Sequence, residues 1–146
     1  MRGLRVVVAA ALTLALGGCS LWGMEGGPGG AGAAAPTVSS GQSAVAATPG
    51  TDGVQRITIT MGDDLRLHPS VVLAHPGTIE FTFHNTGAIP HDIEFSAGVS
   101  GPTGGTGNLN AGTSATVRVS VSAPGDYPFP CVYHQSSGMV GTLMVR

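Results

Sequence analysis

The stretch Tyr127-Pro128-Phe129-Pro130-Cys131-Val132-Tyr133-His134-Gln135-Ser136-Ser137-Gly138-Met139-Val140-Gly141 places a thiol, an imidazole and a thioether within nine residues, at C-x2-H-x4-M spacing. All three groups bind a soft metal, and a tight loop joining two strands folds them around one point. A trigonal site needs one more imidazole from a neighbouring loop, and His91, in Pro90-His91-Asp92, is placed to supply it. Copper suits such a set. Cu(I) favours sulfur and few ligands, Cu(II) favours nitrogen in a tetragonal field, and two histidines, one cysteine and a weak axial methionine lie between those preferences. A rigid scaffold that holds this compromise in both states keeps rearrangement small when an electron moves.

Outward from the loop, the sequence has period two: Val54, then Arg56-Ile57-Thr58-Ile59-Thr60, Thr78-Ile79-Glu80-Phe81-Thr82-Phe83 and Thr116-Val117-Arg118-Val119-Ser120-Val121. Such alternation marks strands with one buried face. A last strand is expected from Val140 to Val145. Turn signals separate the runs at His75-Pro76-Gly77, Asn85-Thr86-Gly87, Ala111-Gly112 and Ala123-Pro124-Gly125. No helical periodicity competes. The expectation for residues 54–146 is therefore all-β, an antiparallel Greek-key β-sandwich or small barrel. Phe81, Phe83, Ile93 and Phe95 are its expected core fillers, and the glycine-rich segment from Ser96 to Asn110 reads as a loop.

The other end of the chain reads as an address. Arg2 and Arg5 precede a mostly apolar run from Val6 to Leu16, too short to cross a bilayer, followed by Gly17, Gly18 and Cys19. Residues 1–18 are expected to be a signal peptide. Leu16-Gly17-Gly18-Cys19 resembles the bacterial lipobox, which implies cleavage before Cys19 and a lipid on its sulfur. Residues 19–53, rich in Gly, Ala, Ser, Thr and Pro, contain too few large apolar groups for a core and read as a flexible tether. Trp22, the sole tryptophan, is expected at the membrane interface. The protein is thus expected to be exported and lipid-anchored to the cell membrane, facing the periplasm or the cell exterior.

Composition narrows the function. A chain of 146 residues with net charge −2 and no lysine offers no basic patch, so nucleic acid is not an expected partner. Nucleotide-binding glycine motifs are absent as well. An exported cysteine is usually half a disulfide, but the sole possible partner of Cys131 is Cys19, which has its own use in the lipobox. His68, His75 and His84 are expected at the surface, and Met61 and Met144 in strand packing.

From Val54 to Arg146 the sequence resembles the cupredoxins, within them the plastocyanin, pseudoazurin and amicyanin group. The resemblance is carried by Leu65-x-Leu67-x-Pro69, Pro76-Gly77-Thr78 leading into Phe81-x-Phe83-x-Asn85, Pro90-His91-Asp92, Ala111-Gly112, Pro124-Gly125-x-Tyr127-x-Phe129-x-Cys131 and Gly138-Met139-x-Gly141. It implies one type 1 copper ion bound by His91, Cys131, His134 and Met139, with Met139 as the weak axial donor. Asp92 stands where asparagine is commonest in the family, and Tyr133 where plastocyanins usually have proline. Unlike proline, Tyr133 keeps an N–H that, with the N–H of Asp92, is expected to point at the Cys131 sulfur and weaken its donation to copper.

The resemblance implies a one-electron carrier between redox-protein donor and acceptor, not an enzyme, since protein fills all four positions. A monomer is expected, docking transiently around the edge of His134, where Gly87, Ala88, Ile89 and Pro90 offer an uncharged rim. Pro130 before Cys131 excludes the His-Cys-His bridge to a trinuclear oxidase centre. The competing reading is an extracytoplasmic copper chaperone or sequestering protein, which would more commonly use exposed Met-rich or His-rich sites.

Overall fold

The computed structural model describes residues 42–101 and 104–146. The expected signal peptide, the Cys19 lipidation site and Trp22 lie outside the described residues. Alternation does produce strands: β1 (Ala44–Ala46), β2 (Thr48–Pro49), β3 (Val54–Met61), β4 (Leu67–His68), β5 (Val71–Ala74), β6 (Gly77–Asn85), β7 (Ser114–Val121), β8 (Gly125–Pro130) and β9 (Val140–Val145). The described residues contain no α-helix, only a 3-10 turn at Gln135–Ser137. One sheet has the order β1-β5-β9-β8 and the other β2-β3-β6-β7, with β4 added to β3. The fold is the expected all-β Greek-key sandwich.

The sheets are not purely antiparallel, as expected from the sequence, but mixed. β3 runs parallel to β6, β5 to β9 and β1 to β5. The chain leaves one sheet after β3, forms β5 in the other, and returns as β6, so strands that meet side by side are separated by a crossing and point the same way. Alternation along one strand does not encode the direction of its neighbour.

The inward positions of the long strands are Ile59 and Met61 on β3, Ile79, Phe81 and Phe83 on β6, Val117, Val119 and Val121 on β7, and Leu143 and Val145 on β9, all buried. All four phenylalanines of the chain meet in this core. Phe81, Phe83, Phe95 and Phe129 have ring centroids 5.0 to 6.3 Å apart, mostly tilted or edge-on, the arrangement that aromatic quadrupoles favour. Phe129 was not among the expected fillers, because Pro128 and Pro130 flank it and hide the strand pattern. Its ring lies directly over Gly141 on β9, where a Cβ would overlap it. Glycine at 141 therefore lets β8 and β9 close around the aromatic cluster next to the Cys131 loop.

The boundary of the domain lies upstream of Val54. Residues 44–49, expected within the tether of 19–53, pair with both sheets: β1 with β5 from Ala44↔Val71 to Ala46↔Leu73, and β2 with β3 through Thr48↔Arg56. Ala47, where the chain passes from one sheet to the other, is buried and donates its N–H to the Leu73 carbonyl at 2.8 Å. Small residues disguised this segment as linker. It contributes mainly backbone hydrogen bonds to an open sheet edge, which hydrophobic patterning does not register.

Candidate metal centre

Two chain segments build the centre at one end of the sandwich. β8 ends at Pro130, and the chain then turns through Cys131 and His134 to Met139 before β9. Backbone hydrogen bonds close this loop on itself: His134 N–H donates to the Cys131 carbonyl at 3.1 Å, Met139 N–H to the His134 carbonyl at 3.2 Å, and Cys131 N–H to the Met139 carbonyl at 3.0 Å. Gly138 ends the 3-10 turn at φ 83°, a left-handed conformation that glycine adopts without penalty. The spacing of Cys131, His134 and Met139 is thus the length of one self-bonded turn.

The second segment carries His91. Its backbone makes a reciprocal pair with Leu109, His91 N–H to Leu109 carbonyl at 3.0 Å and Leu109 N–H to His91 carbonyl at 2.7 Å. Downstream, Ile93 bridges to Cys131, and the Asp92 carbonyl accepts the Val132 N–H at 2.7 Å. Upstream, the fully buried Asn85 donates through Nδ2 to the carbonyls of Ile89 and Leu109, at 2.8 and 3.1 Å, and accepts the Gly87 N–H at 2.9 Å. Asn85 thereby joins the segment leading into His91 to the Leu109 segment that pairs with it. In the sequence it reads only as a turn residue, since nothing in Asn85-Thr86-Gly87 signals burial of its amide.

Cys131 Sγ lies 3.4 Å from His134 Nδ1 and 3.8 Å from His91 Nδ1, and the three donor atoms all fall within 4.8 Å of one another. Donors about 2.0 to 2.3 Å from a common ion and 120° apart would sit about 3.5 to 4 Å from each other, so the set fits one ion at its centre. Met139 is fully buried at the end of the same turn, as are Cys131 and His91. His134 is half-buried, its ring edge-on to His91 with centroids 5.1 Å apart. Burial and then the neighbouring His134 pull the His91 pKa below its ordinary value, with the Gly62 backbone opposing. The imidazole is therefore neutral over a wider pH range, with Nδ1 toward the donor set and Nε2 buried with no hydrogen-bond partner among the described residues. The described Cys131 is a free thiol in the core, as a ligand cysteine must be.

The remaining candidates fall elsewhere. His68 is exposed and contacts Asp64 at 2.7 Å, His75 Nδ1 meets the Arg146 carbonyl at 3.0 Å, and His84 Nδ1 meets Ser114 Oγ at 2.7 Å. Met61 is in the core and Met144 lies on β9. The expected hydrogen bonds to the Cys131 sulfur differ. Among the described residues, the Cys131 sulfur contacts only His91 Nδ1 and His134 Nδ1, and neither the Asp92 N–H nor the Tyr133 N–H reaches it; Asp92 meets the ligand loop through its carbonyl. Tyr133 is half-exposed, donates its hydroxyl to Asn108 Oδ1 at 3.4 Å, and sets its ring edge-on to His134 with centroids 6.3 Å apart. Its influence on the site is at the rim.

The sequence profile of the family described as cupredoxin-like domain matches residues 32–145. Plastocyanin from Prochlorothrix hollandica is 35% identical over 72 residues, which are 47% of this chain and 53% of the relative, so the chain spans about half the length of that curated relative. Among solved structures, the dithionite-reduced auracyanin of Roseiflexus castenholzii superposes with a TM-score of 0.52 at 27% identity, over 62% of this chain and 96% of that one. Auracyanin A of Chloroflexus aurantiacus, described as a "blue" copper protein, superposes with a TM-score of 0.54 at 20% identity, over 64% of this chain and all of that one.

Proposed function

Because the chain belongs to the cupredoxin-like domain family, we propose that it is a blue-copper electron carrier whose single type 1 ion is bound by His91, Cys131, His134 and Met139. The convergence of Cys131 Sγ with two imidazole nitrogens, all within 4.8 Å in a mostly buried setting, carries this reading. A copper ion bound there supplies one-electron exchange between its two oxidation states. The protein does the rest. His91, Cys131 and Met139 are buried and keep water from the donor set, and the sandwich behind them holds the donor separation. His134 alone of the four is half-buried, which makes its ring the shortest route between the centre and a partner. Around it, Gly87, Ala88, Ile89 and Pro90 form the uncharged rim against which donor and acceptor redox proteins dock weakly and briefly.

The protein has no enzymatic activity in this reading, because four protein donors leave no position for a substrate. Cys19 carries a lipid that holds it to the membrane outside the cytoplasm.

Copper-loaded protein is expected to show an intense visible absorption band that bleaches on reduction and returns on oxidation. Cys131→Ser should abolish the band while leaving a folded domain. Rapid loss of copper to a weak chelator, with no stable colour, would favour copper delivery or storage over electron transfer. Cys19→Ala should move the protein from the membrane fraction to the soluble exported fraction; unchanged membrane association would remove the lipid anchor from the proposal.

A further inference from the structure

The turn between β3 and β4 supplies no donor, yet it touches both segments that do. On one side Asp63 Oδ1 accepts the N–H groups of Ala88 and Ile89, at 2.8 and 3.2 Å, in the segment that leads to His91. On the other side the Arg66 guanidinium donates to the Ser137 carbonyl at 3.2 Å, between His134 and Met139. The turn itself is held in shape. Leu65 N–H donates to the Gly62 carbonyl at 3.2 Å, Arg66 N–H to Asp64 Oδ1 at 3.2 Å, and Leu65 takes a left-handed φ of 56°. A leucine rarely adopts that conformation unless its surroundings impose it.

Two further observations show that these contacts matter to the donor loops. Gly87 lies so close to Asp63 that a Cβ would overlap the carboxylate and come within 2.9 Å of the Asp63 nitrogen, so the approach of the two segments depends on a missing side chain. The Gln135–Ser137 turn buries no residue, so little packing fixes it, and the Arg66 guanidinium gives it a partner outside its own loop.

We propose that Asp63 and Arg66 are positioning residues that brace the His91 segment and the His134–Met139 segment against one turn, and so set how firmly the site holds copper. The proposal rests on the copper reading above. Donor separation is a property of two loops from separate parts of the chain, and a common partner for both limits their relative motion. Groups that orient metal ligands from behind typically change affinity by about 10- to 100-fold when removed.

The test uses the full chain with Asp63→Ala and Arg66→Ala, together with Asp63→Asn, which keeps a carbonyl oxygen as acceptor. In metal-free protein, Asp63→Ala should speed amide hydrogen exchange at Ala88 and Ile89, and Arg66→Ala should speed it in the segment Ser137 to Met139. In copper-loaded protein both should release copper to a chelator roughly 10-fold faster or more, and alter the electron-resonance hyperfine splitting, with Asp63→Asn restoring most of each change. Unchanged exchange in the metal-free variants overturns the brace. So does faster exchange with copper release and hyperfine splitting as in the parent, since the bonds would then exist without positioning the donors. Failure of the parent protein to form a blue site overturns the proposed function instead, and exchange in the metal-free protein still decides whether the brace exists.

Discussion

His91 and His134 are the same side chain in different solvent environments, and their roles divide accordingly. His91 is fully buried, and desolvation lowers its pKa and keeps its lone pair free, whereas His134 reaches the surface. Met139 is buried at the end of the His134 turn, and if its thioether is the fourth donor, its added electron density would stabilise Cu(II) more than Cu(I). Met139→Leu keeps the volume and removes the sulfur. It should preserve the blue colour and raise the reduction potential; a potential that stays put or falls in voltammetry would remove Met139 from the donor set. At this scale the four candidate donors were legible because spacing and chemistry coincide in one short stretch. Asn85, Asp63 and Arg66 were not, since their importance lies in which carbonyl or N–H they reach, and those partners are distant in sequence.

Strands β3, β6 and β7 carry an ionic ladder on their outer face: Arg56, Glu80 and Arg118 occupy facing positions, with Asp52 at the end. The hydrogen bond from Arg118 holds the Glu80 carboxyl below its usual pKa against the opposing effect of desolvation, with the charges of Arg118 and Arg56 adding to it. A depressed folded-state pKa stabilises the fold above the unfolded carboxylate range, and that contribution disappears as pH falls through the folded value. Glu80→Gln should therefore lower the thermal midpoint at pH 7, the gap closing below about pH 4 and shrinking in high salt. A gap independent of pH would mean that packing, not charge, is lost. The strands themselves were readable from alternation, but their pairing was not: Gln55 occupies an inward position of β3, where it exchanges two hydrogen bonds with the His75 backbone at 2.8 Å each. A polar residue at a core position breaks the pattern for a reason visible only in its partner.

For the molecule as a whole, the segment before Val54 decides where the domain starts. β1 and β2 cap an edge of each sheet, and Ala47 is buried between them. A chain starting at Val54 should be less stable than one starting at Gln42 by on the order of 2 kcal/mol, from lost edge hydrogen bonds and exposed apolar surface. Urea denaturation of the two, giving equal midpoints, would show that residues 44–49 add nothing. If the shorter chain also kept its affinity for copper, the edge strands would concern stability alone, since the donors lie on later segments.

The sequence by itself determined the alternating strands β3, β6, β7 and β9, their buried faces and the candidate donors, because alternation and metal-ligand spacing are local properties of a chain. Only the tertiary structure decided that Cys131 and His91 meet, that β3 runs parallel to β6, and that an alanine-rich stretch closes the sheet edge. These depend on backbone groups finding partners across crossings between sheets, and backbone groups are the same in every residue, so composition and periodicity carry no record of them.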